Sequence, residues 1–260
     1  MIPVSDKKTK KILVTGATGQ IGSELVPELR KIYGLENVLA GVHNKKPMND
    51  LTEGPTTYID VVDKNTIETA IEKFDIDTIY HLAAILSVSG ENDPWLAWKI
   101  NIQGTYNILE IAREKKLLKI FCPSSIAVFG PETPRVNTPQ DTIMQPRTMY
   151  GVTKVNGELL CNYYFYKFNV DVRGLRYPGI ISNKTLPGGG TTDYAVEIFY
   201  EAIKHKKYVC FLNPDTILPM MYMPDCIKAT INLMKTDLSN LNHHSNYNVS
   251  AFSFSPKDLY

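Results

Sequence analysis

Residues 11–31, "KILVTGATGQIGSELVPELRK", constrain this chain more than any other stretch. A β-branched, apolar run enters a turn with glycines at 16, 19 and 22, and a helical pattern leaves it. Gly16 permits the tight turn, Gly19 lets backbone approach a pyrophosphate, and Gly22 lets the helix pack on the strand. The pyrophosphate would rest on free N–H groups at the helix N-terminus. Because strand and helix flank the glycines in the right order, the stretch reads as a dinucleotide cradle rather than a plain βα turn.

Such a cradle belongs to a parallel sheet, and the next 150 residues or so read as one. Strands are predicted at 11–15, 37–42, 56–60, 77–84, 117–125 and 170–177, with helices at 20–33, 64–74, 93–115 and 149–168. The strand runs are apolar without polar alternation, which requires cover on both faces. The predicted fold is α/β, a doubly wound Rossmann-type parallel sheet. Beyond Tyr177 the pattern loosens. A Gly/Pro-rich stretch (178–190) leads to a helix at 193–206, short strands "YVCFL" (208–212) and "LPMMYM" (218–223), a helix at 224–236 and a strand near 246–249. The expected division is a dinucleotide-binding domain over 1–180 and a smaller C-terminal substrate-binding lobe over 181–260. The final "SFSPKDLY" stops as a Ser-Pro-initiated helix begins, so this lobe is expected to be truncated.

Composition removes several partners. Lys plus Arg is 28 and Asp plus Glu is 27, a balance that argues against nucleic acid or a membrane surface. No apolar run approaches the roughly 18 residues of a membrane span. The start, "MIPVSDKKTKK", has no apolar signal core and no Arg/Ser-rich amphipathic character. The expectation is a cytoplasmic protein, with a processed mitochondrial form left open. Cys122, Cys161, Cys210 and Cys226 share no C-x-x-C spacing and read as buried, reduced thiols. His43, His81, His205, His243 and His244 show no ligand spacing with carboxylates or cysteines, so no metal is expected.

The chemistry is carried by "TMYGVTKVNGELL", in which Tyr150 and Lys154 share a helix face at i and i+4. A cation beside a phenol favours the phenolate, which a base working near neutral pH requires. Twenty-five residues earlier, "PSSIAVFG" closes a strand with Ser124 and Ser125.

The G-x-x-G-x-x-G spacing, "DTIYHLAA", "PSSIAVFG" and Tyr-x-x-x-Lys together resemble the extended branch of the short-chain dehydrogenase/reductase family. The resemblance implies catalytic roles for Ser125, Tyr150 and Lys154. Tyr150 as phenolate takes the proton of a secondary alcohol, Ser125 orients the hydroxyl, and Lys154 anchors the nicotinamide ribose. It also implies NAD contacts at Gly16, Gly19, Gln20, Ile21, Gly22, Asp60, Val61, Leu82, Ala83, Ala84, Asn101, Tyr150, Lys154 and Ile180. Asn101 matches the helix asparagine that supports the lysine through water. One position departs from the pattern. An acid normally holds the ribose diol about 20 residues past the glycines, where this chain reads "AGVHNKK". Asn44 can replace that acid for NAD, and Lys45 and Lys46 can instead attract the 2′-phosphate of NADP.

Within that family, "PGGGTTDYAVEIFYEAI" and "LPMMYMPD" resemble the short-chain, metal-independent L-threonine 3-dehydrogenases. The implied substrate is L-threonine, oxidised at its 3-hydroxyl to 2-amino-3-oxobutanoate. Ser87, Ser125, Tyr150, Thr191 and Thr192 are the expected substrate contacts. Gly188–Thr192 offer amides and hydroxyls for a carboxylate, or a hinge that lets a loop close. The alternative is a sugar-nucleotide epimerase or dehydratase, which the absence of arginine past residue 180 disfavours. The apolar faces of the helices at 93–115 and 149–168 resemble a four-helix homodimer interface.

Overall fold

The computed structural model describes residues 8–186, 188–243 and 246–260. Pro187 and His244, which the sequence reading touched, and the first seven residues lie outside them. The first half runs β1 (Ile12–Thr15), α1 (Gly22–Tyr33), β2 (Val38–Val42), β3 (Thr56–Tyr58), α2 (Lys64–Phe74), β4 (Thr78–His81), α3 (Ser87–Asn92), α4 (Pro94–Ala97), α5 (Gly104–Lys115) and β5 (Lys119–Phe121). There follow β6 (Ser124–Ser125), α6 (Met149–Phe168), β7 (Val172–Tyr177), β8 (Gly179–Ile181), α7 (Tyr194–His205), β9 (Leu218–Tyr222), α8 (Met223–Lys235), β10 (Asn246–Asn248) and β11 (Phe252–Phe254).

The large sheet is parallel, in the order β10-β7-β5-β4-β1-β2-β3, with the short β6 pairing β7. Strand order reverses beside β1: the chain leaves outward through β2 and β3, then returns to β4 on the other side. Ligands of such sheets bind at that switch point, beyond the carboxyl ends of the strands. Side chains along each strand alternate between two cores. Ile12, Val14, Val38, Ala40, Tyr80 and Phe121 face one core with α1 and α8, whereas Leu13, Leu39, Ile79 and Ile120 face the other with α2, α5 and α6.

Four helices end on left-handed residues, α2 at Asp75 (φ 55°), α5 at Lys116 (φ 54°), α6 at Asn169 (φ 55°) and α7 at Lys206 (φ 54°). The single helix expected over 93–115 is helical but not uniform. Trp98–Gln103 form a π turn between α4 and α5, a distortion that often marks a functional position.

The small sheet has the order β11-β9-β8 and was only partly foreseen. The strand expected at 208–212 is irregular. Its side chains do alternate, with Tyr208, Cys210 and Leu212 packed inward and Val209 and Phe211 exposed, but no strand among the described residues pairs with it. β8 and β11 appear instead at positions given no strand. The expected terminal helix is a short 3₁₀ turn, Pro256–Leu259, begun by a Ser255/Asp258 capping box. Residues 181–260 are shared between the sheets: β9 and β11 lie in the small one, while β10 extends the large one beside β7. All four cysteines are free; Cys122, Cys161 and Cys226 are buried, and Cys210 is only half-buried.

Candidate active site

The glycine turn is as tight as its sequence demands. Gly16 has φ of +67°, and a Cβ there would lie 2.7 Å from the Ala83 amide nitrogen. A Cβ on Gly22 would meet the Gly16 carbonyl at 2.4 Å. Any side chain at either position would push the turn away from β4 or α1 from β1. α1 begins without a side-chain cap, and its Ser23, Glu24 and Leu25 amides are bonded to the Gly19 and Ile21 carbonyls. The turn is also clasped to the end of β8. Gln20 Nε2 donates to the Ile180 carbonyl (3.1 Å) and to Ser182 Oγ (2.9 Å), and Ser23 Oγ meets Thr185 Oγ1 at 2.9 Å.

A cavity of about 350 Å³ opens from this turn along the carboxyl ends of β1, β4 and β6. At one end lie Gly16, Gly19, Gln20, Ile21, Gly22, Leu82, Ala84 and Ile180. Its middle holds Ser125, Tyr150 and Lys154, and its far wall Ser87, Thr191 and Thr192. Residues from five separate elements thus converge on one cavity. Five other expected cofactor contacts stand outside its lining: Asn44, Asp60, Val61, Ala83 and Asn101. Ala83 abuts Gly16 from behind. Asp60 Oδ1 accepts from the Val62 amide at 2.9 Å, shaping the turn after β3. Val61 is buried and its carbonyl accepts from Asn107 Nδ2 at 3.0 Å. Asn44, Lys45 and Lys46 are exposed past the end of β2.

The middle of the cavity is built by α6. Thr148 caps the helix by accepting from the Gly151 amide at 3.1 Å, which sets Tyr150 in the first turn. A Cβ on Gly151 would lie 2.4 Å from the Ala127 carbonyl, so glycine lets the helix start press against the segment after Ser125. Tyr150 is buried. Lys154 Nζ lies 5.6 Å from the Tyr150 ring centroid and donates to the Pro123 carbonyl at 3.0 Å. Ser125 Oγ accepts from the Ala127 amide at 3.2 Å. The hydroxyl of neighbouring Ser124, a residue that also lines the cavity, is buried without a partner among the described residues.

Asn101 sits in the π turn and is committed to protein contacts. Its amide group exchanges two hydrogen bonds with the Ile85 backbone (2.8 and 2.9 Å) and donates to Thr153 Oγ1 at 3.0 Å. It therefore ties the segment after β4 to α6, one residue from Lys154. Beneath it His81 is enclosed. Thr105 Oγ1 donates to the Asn101 carbonyl at 2.7 Å, so it accepts from His81 Nε2 at 3.3 Å, and Thr15 Oγ1 donates to Nδ1 at 2.9 Å. This network assigns the neutral Nε2–H tautomer. Burial, with the nearby Lys154 charge, pushes the imidazole down to about 3.

The far wall contains a residue the sequence reading passed over. Asp193 holds the N-cap position of α7. Its carboxylate turns backward and accepts from the Gly189 and Gly190 amides at 2.8 and 2.6 Å. Gly189 needs its φ of +95° for this, and its carbonyl accepts from the Val88 amide at 3.1 Å, tying the glycine loop to α3 beside Ser87. An acid directly after two threonines at a helix start was the available signal.

Among the described residues no group of three or more histidine, cysteine or acidic side chains is placed to hold a metal ion, and no helix is long and apolar enough to cross a membrane. The fold, the glycine turn and the Ser/Tyr/Lys cavity define a dinucleotide-dependent enzyme of the extended short-chain dehydrogenase/reductase type. The chain belongs to the NAD dependent epimerase/dehydratase family, whose family model matches residues 12–250. A curated relative from Staphylococcus saprophyticus, described as an uncharacterized epimerase/dehydratase, is 50% identical over 249 residues, covering 95% of this chain and 78% of the relative. The crystal structure of L-threonine dehydrogenase from Clostridium difficile is 50% identical with a TM-score of 0.92, over 97% of this chain and 79% of that one. UDP-glucose 4-epimerase from Thermus thermophilus, solved with NAD, is 25% identical with a TM-score of 0.81, over 96% and 80%.

Proposed function

We propose that this enzyme oxidises the 3-hydroxyl of L-threonine to 2-amino-3-oxobutanoate. The observation that carries the reading is the far wall of the cavity: hydroxyls and one carboxylate (Ser87, Thr191, Thr192, Asp193), with no arginine in the lining. Such a wall suits a small zwitterion. A nucleoside diphosphate calls for arginine forks, and the chain has no arginine past residue 176. The similarity to L-threonine dehydrogenases supports the same choice. On this reading residues 1–180 hold the cofactor and residues 181–260 supply most of the substrate's recognition.

The cavity's first end fits a dinucleotide, since Gly16, Gly19 and Gly22 line it without side chains and α1 begins without a side-chain cap. NAD, when bound, supplies the hydride acceptor. Tyr150 takes the proton of the substrate hydroxyl, and Ser125 orients that hydroxyl through its Oγ. Lys154 holds a positive charge beside the Tyr150 ring, where a phenolate forms. Burial of Tyr150 and the apolar neighbours Leu86, Ile126 and Leu218 keep bulk water from the transfer.

The test is cofactor reduction by purified protein with L-threonine, run in parallel with NAD and NADP and beside UDP-sugars. Reduction of NAD with threonine supports the reading. Turnover of a UDP-sugar with none of threonine sinks it in favour of an epimerase, and preference for NADP would assign Lys45 and Lys46 to the 2′-phosphate.

A further inference from the structure

Cys122 and Cys161 meet behind Lys154. Cys122 follows β5 and precedes Pro123, whose carbonyl holds Lys154. Cys161 lies on α6 two turns past Lys154, so the two share a helix face with Glu158 between them. Both cysteines are buried in the same core, and Cys161 donates a hydrogen bond to the Cys122 sulfur. Cys226 packs in the other core, under α8, and Cys210 packs in the small lobe. Cys122 and Cys161 are thus the one pair of the four that shares a core.

A second cavity, of about 10 Å³, lies at this junction and has room for a molecule the size of water. Cys122, Glu158 and Asn246 line it, and it shares Pro123, Ser124 and Lys154 with the large cavity. Gly157 adds open space, since a Cβ there would meet nothing within 4 Å. The wall is short of partners: the Ser124 hydroxyl and Asn246 Oδ1 are buried with no hydrogen-bond partner among the described residues. Polar atoms buried in this way are costly. A small molecule that both donates and accepts satisfies them, and it then rests against the Cys122 sulfur.

The two thiols are not equivalent. The hydrogen bond from Cys161, helped by the Lys154 charge, holds Cys122 below the ordinary thiol range in spite of its burial. The same hydrogen bond, together with burial, pushes Cys161 well above that range. A thiolate is the nucleophile towards a peroxide, and a thiol beside it resolves the sulfenic acid that results.

We propose that Cys122 and Cys161 are a redox-modification site, closed to a disulfide by hydrogen peroxide and opened by thiols, with turnover lowered in the closed form. The Cys122 thiolate attacks one peroxide oxygen, the O–O bond breaks, and the departing hydroxide takes up the proton that Cys122 released. Cys161 then attacks the sulfur of the Cys122 sulfenic acid. The S–O bond breaks, the hydroxyl leaves as water with the Cys161 proton, and the S–S bond forms. Two thiols lose two electrons, and one peroxide becomes two waters. A disulfide is shorter than a hydrogen bond between thiols, so it draws α6 towards the end of β5. That disturbs the fastening of Lys154 at Pro123 and shifts Tyr150 against Ser125, where a displacement of about 1 Å costs on the order of 10²-fold. The loss of turnover rests on the roles read for Ser125, Tyr150 and Lys154; the disulfide does not.

The experiment treats native protein and Cys161→Ala with hydrogen peroxide and counts thiols by alkylation of the unfolded chain. Native protein is expected to fall from four thiols to two, with the peptides around Cys122 and Cys161 joined. Its turnover should drop roughly 10-fold or more, and dithiothreitol should restore both. Cys161→Ala should keep its untreated turnover, form no disulfide and carry a Cys122 sulfenic acid that dimedone traps. Circular dichroism reports the fold, and Cys161→Ser replaces the alanine variant if that one fails to fold. Four thiols after treatment, or a disulfide that uses Cys210 or Cys226, overturns the proposal, as does a Cys122–Cys161 disulfide that leaves turnover unchanged. The thiol count needs no substrate, so it stands apart from the threonine reading. If the enzyme oxidises no threonine, NAD affinity by calorimetry replaces turnover; it should weaken with Lys154 displaced, and equal affinity in the two forms overturns the proposal.

Discussion

Lys154 Nζ donates to the carbonyl of Pro123 at 3.0 Å, and Pro123 is the residue that enters Ser124 and Ser125. One hydrogen bond thus fastens the helix that carries Tyr150 to the strand end that carries Ser125. The lysine is both a charge beside the phenol and a spacer between two elements. Tyr150→Phe removes only the proton acceptor, so turnover is expected to fall by several orders of magnitude, about 10² to 10⁴ being the usual share of a positioned acid–base group. NAD affinity should persist in calorimetry. Near-normal turnover would rule out Tyr150 as the base.

Thr191 and Thr192 line the same cavity as Tyr150 and are the hydroxyls read as binding the substrate carboxylate. Thr191→Ala is expected to raise the threonine KM about 10-fold, the worth of one hydrogen bond to a charged group. NAD affinity should not move. An unchanged KM in initial-rate measurements would reduce the glycine–threonine loop to a hinge.

His81 gives a pH dependence of defined sign. Its folded value, about 3, lies below the ordinary 6.5, so the neutral ring is the folded form. Between those values the unfolded chain binds the extra proton. Stability is present above about pH 6.5 and falls as pH drops toward 3, by up to about 1.4 kcal/mol per pH unit from this residue. Urea unfolding at pH 7 and pH 5 should show the drop, and His81→Gln should flatten it. Parallel slopes for the two proteins would mean that other groups set the acid limit.

Tyr106, Leu159 and Tyr163 leave an apolar face exposed on α5 and α6, at 45%, 59% and 52%. We expect two copies of the chain to pair through it. Sedimentation should give a dimer that Leu159→Glu converts to monomer, since a charge placed in an apolar contact is strongly unfavourable. A native monomer at micromolar concentration would count against this pairing.

The parts of the fold legible in the sequence were those set by local pattern. Gly16, Gly19 and Gly22 mark a turn whose geometry needs only its own residues and one neighbour, and Tyr150 and Lys154 meet because a helix repeats every 3.6 residues. What escaped depends on partners distant in the chain. Asn101 reads as a lysine support, yet its hydrogen bonds go to Ile85 and Thr153, 16 and 52 residues away. Residues 208–212 alternate like a strand but find no ladder. β8 and β11 are three residues each and exist because β9 lies beside both. Asp193 was missed because its side chain turns back to glycines already passed, whereas a helix cap is looked for in the forward direction.

The route of the chain between its two sheets limits how the enzyme can move. It leaves β7 for β8, returns through α8 and β10, and leaves again for β11. The small sheet is therefore stitched to the large one at three seams and cannot swing open as a door does on a single pin. The cavity wall between β8 and α7, from Gly190 to Asp193, belongs to neither sheet.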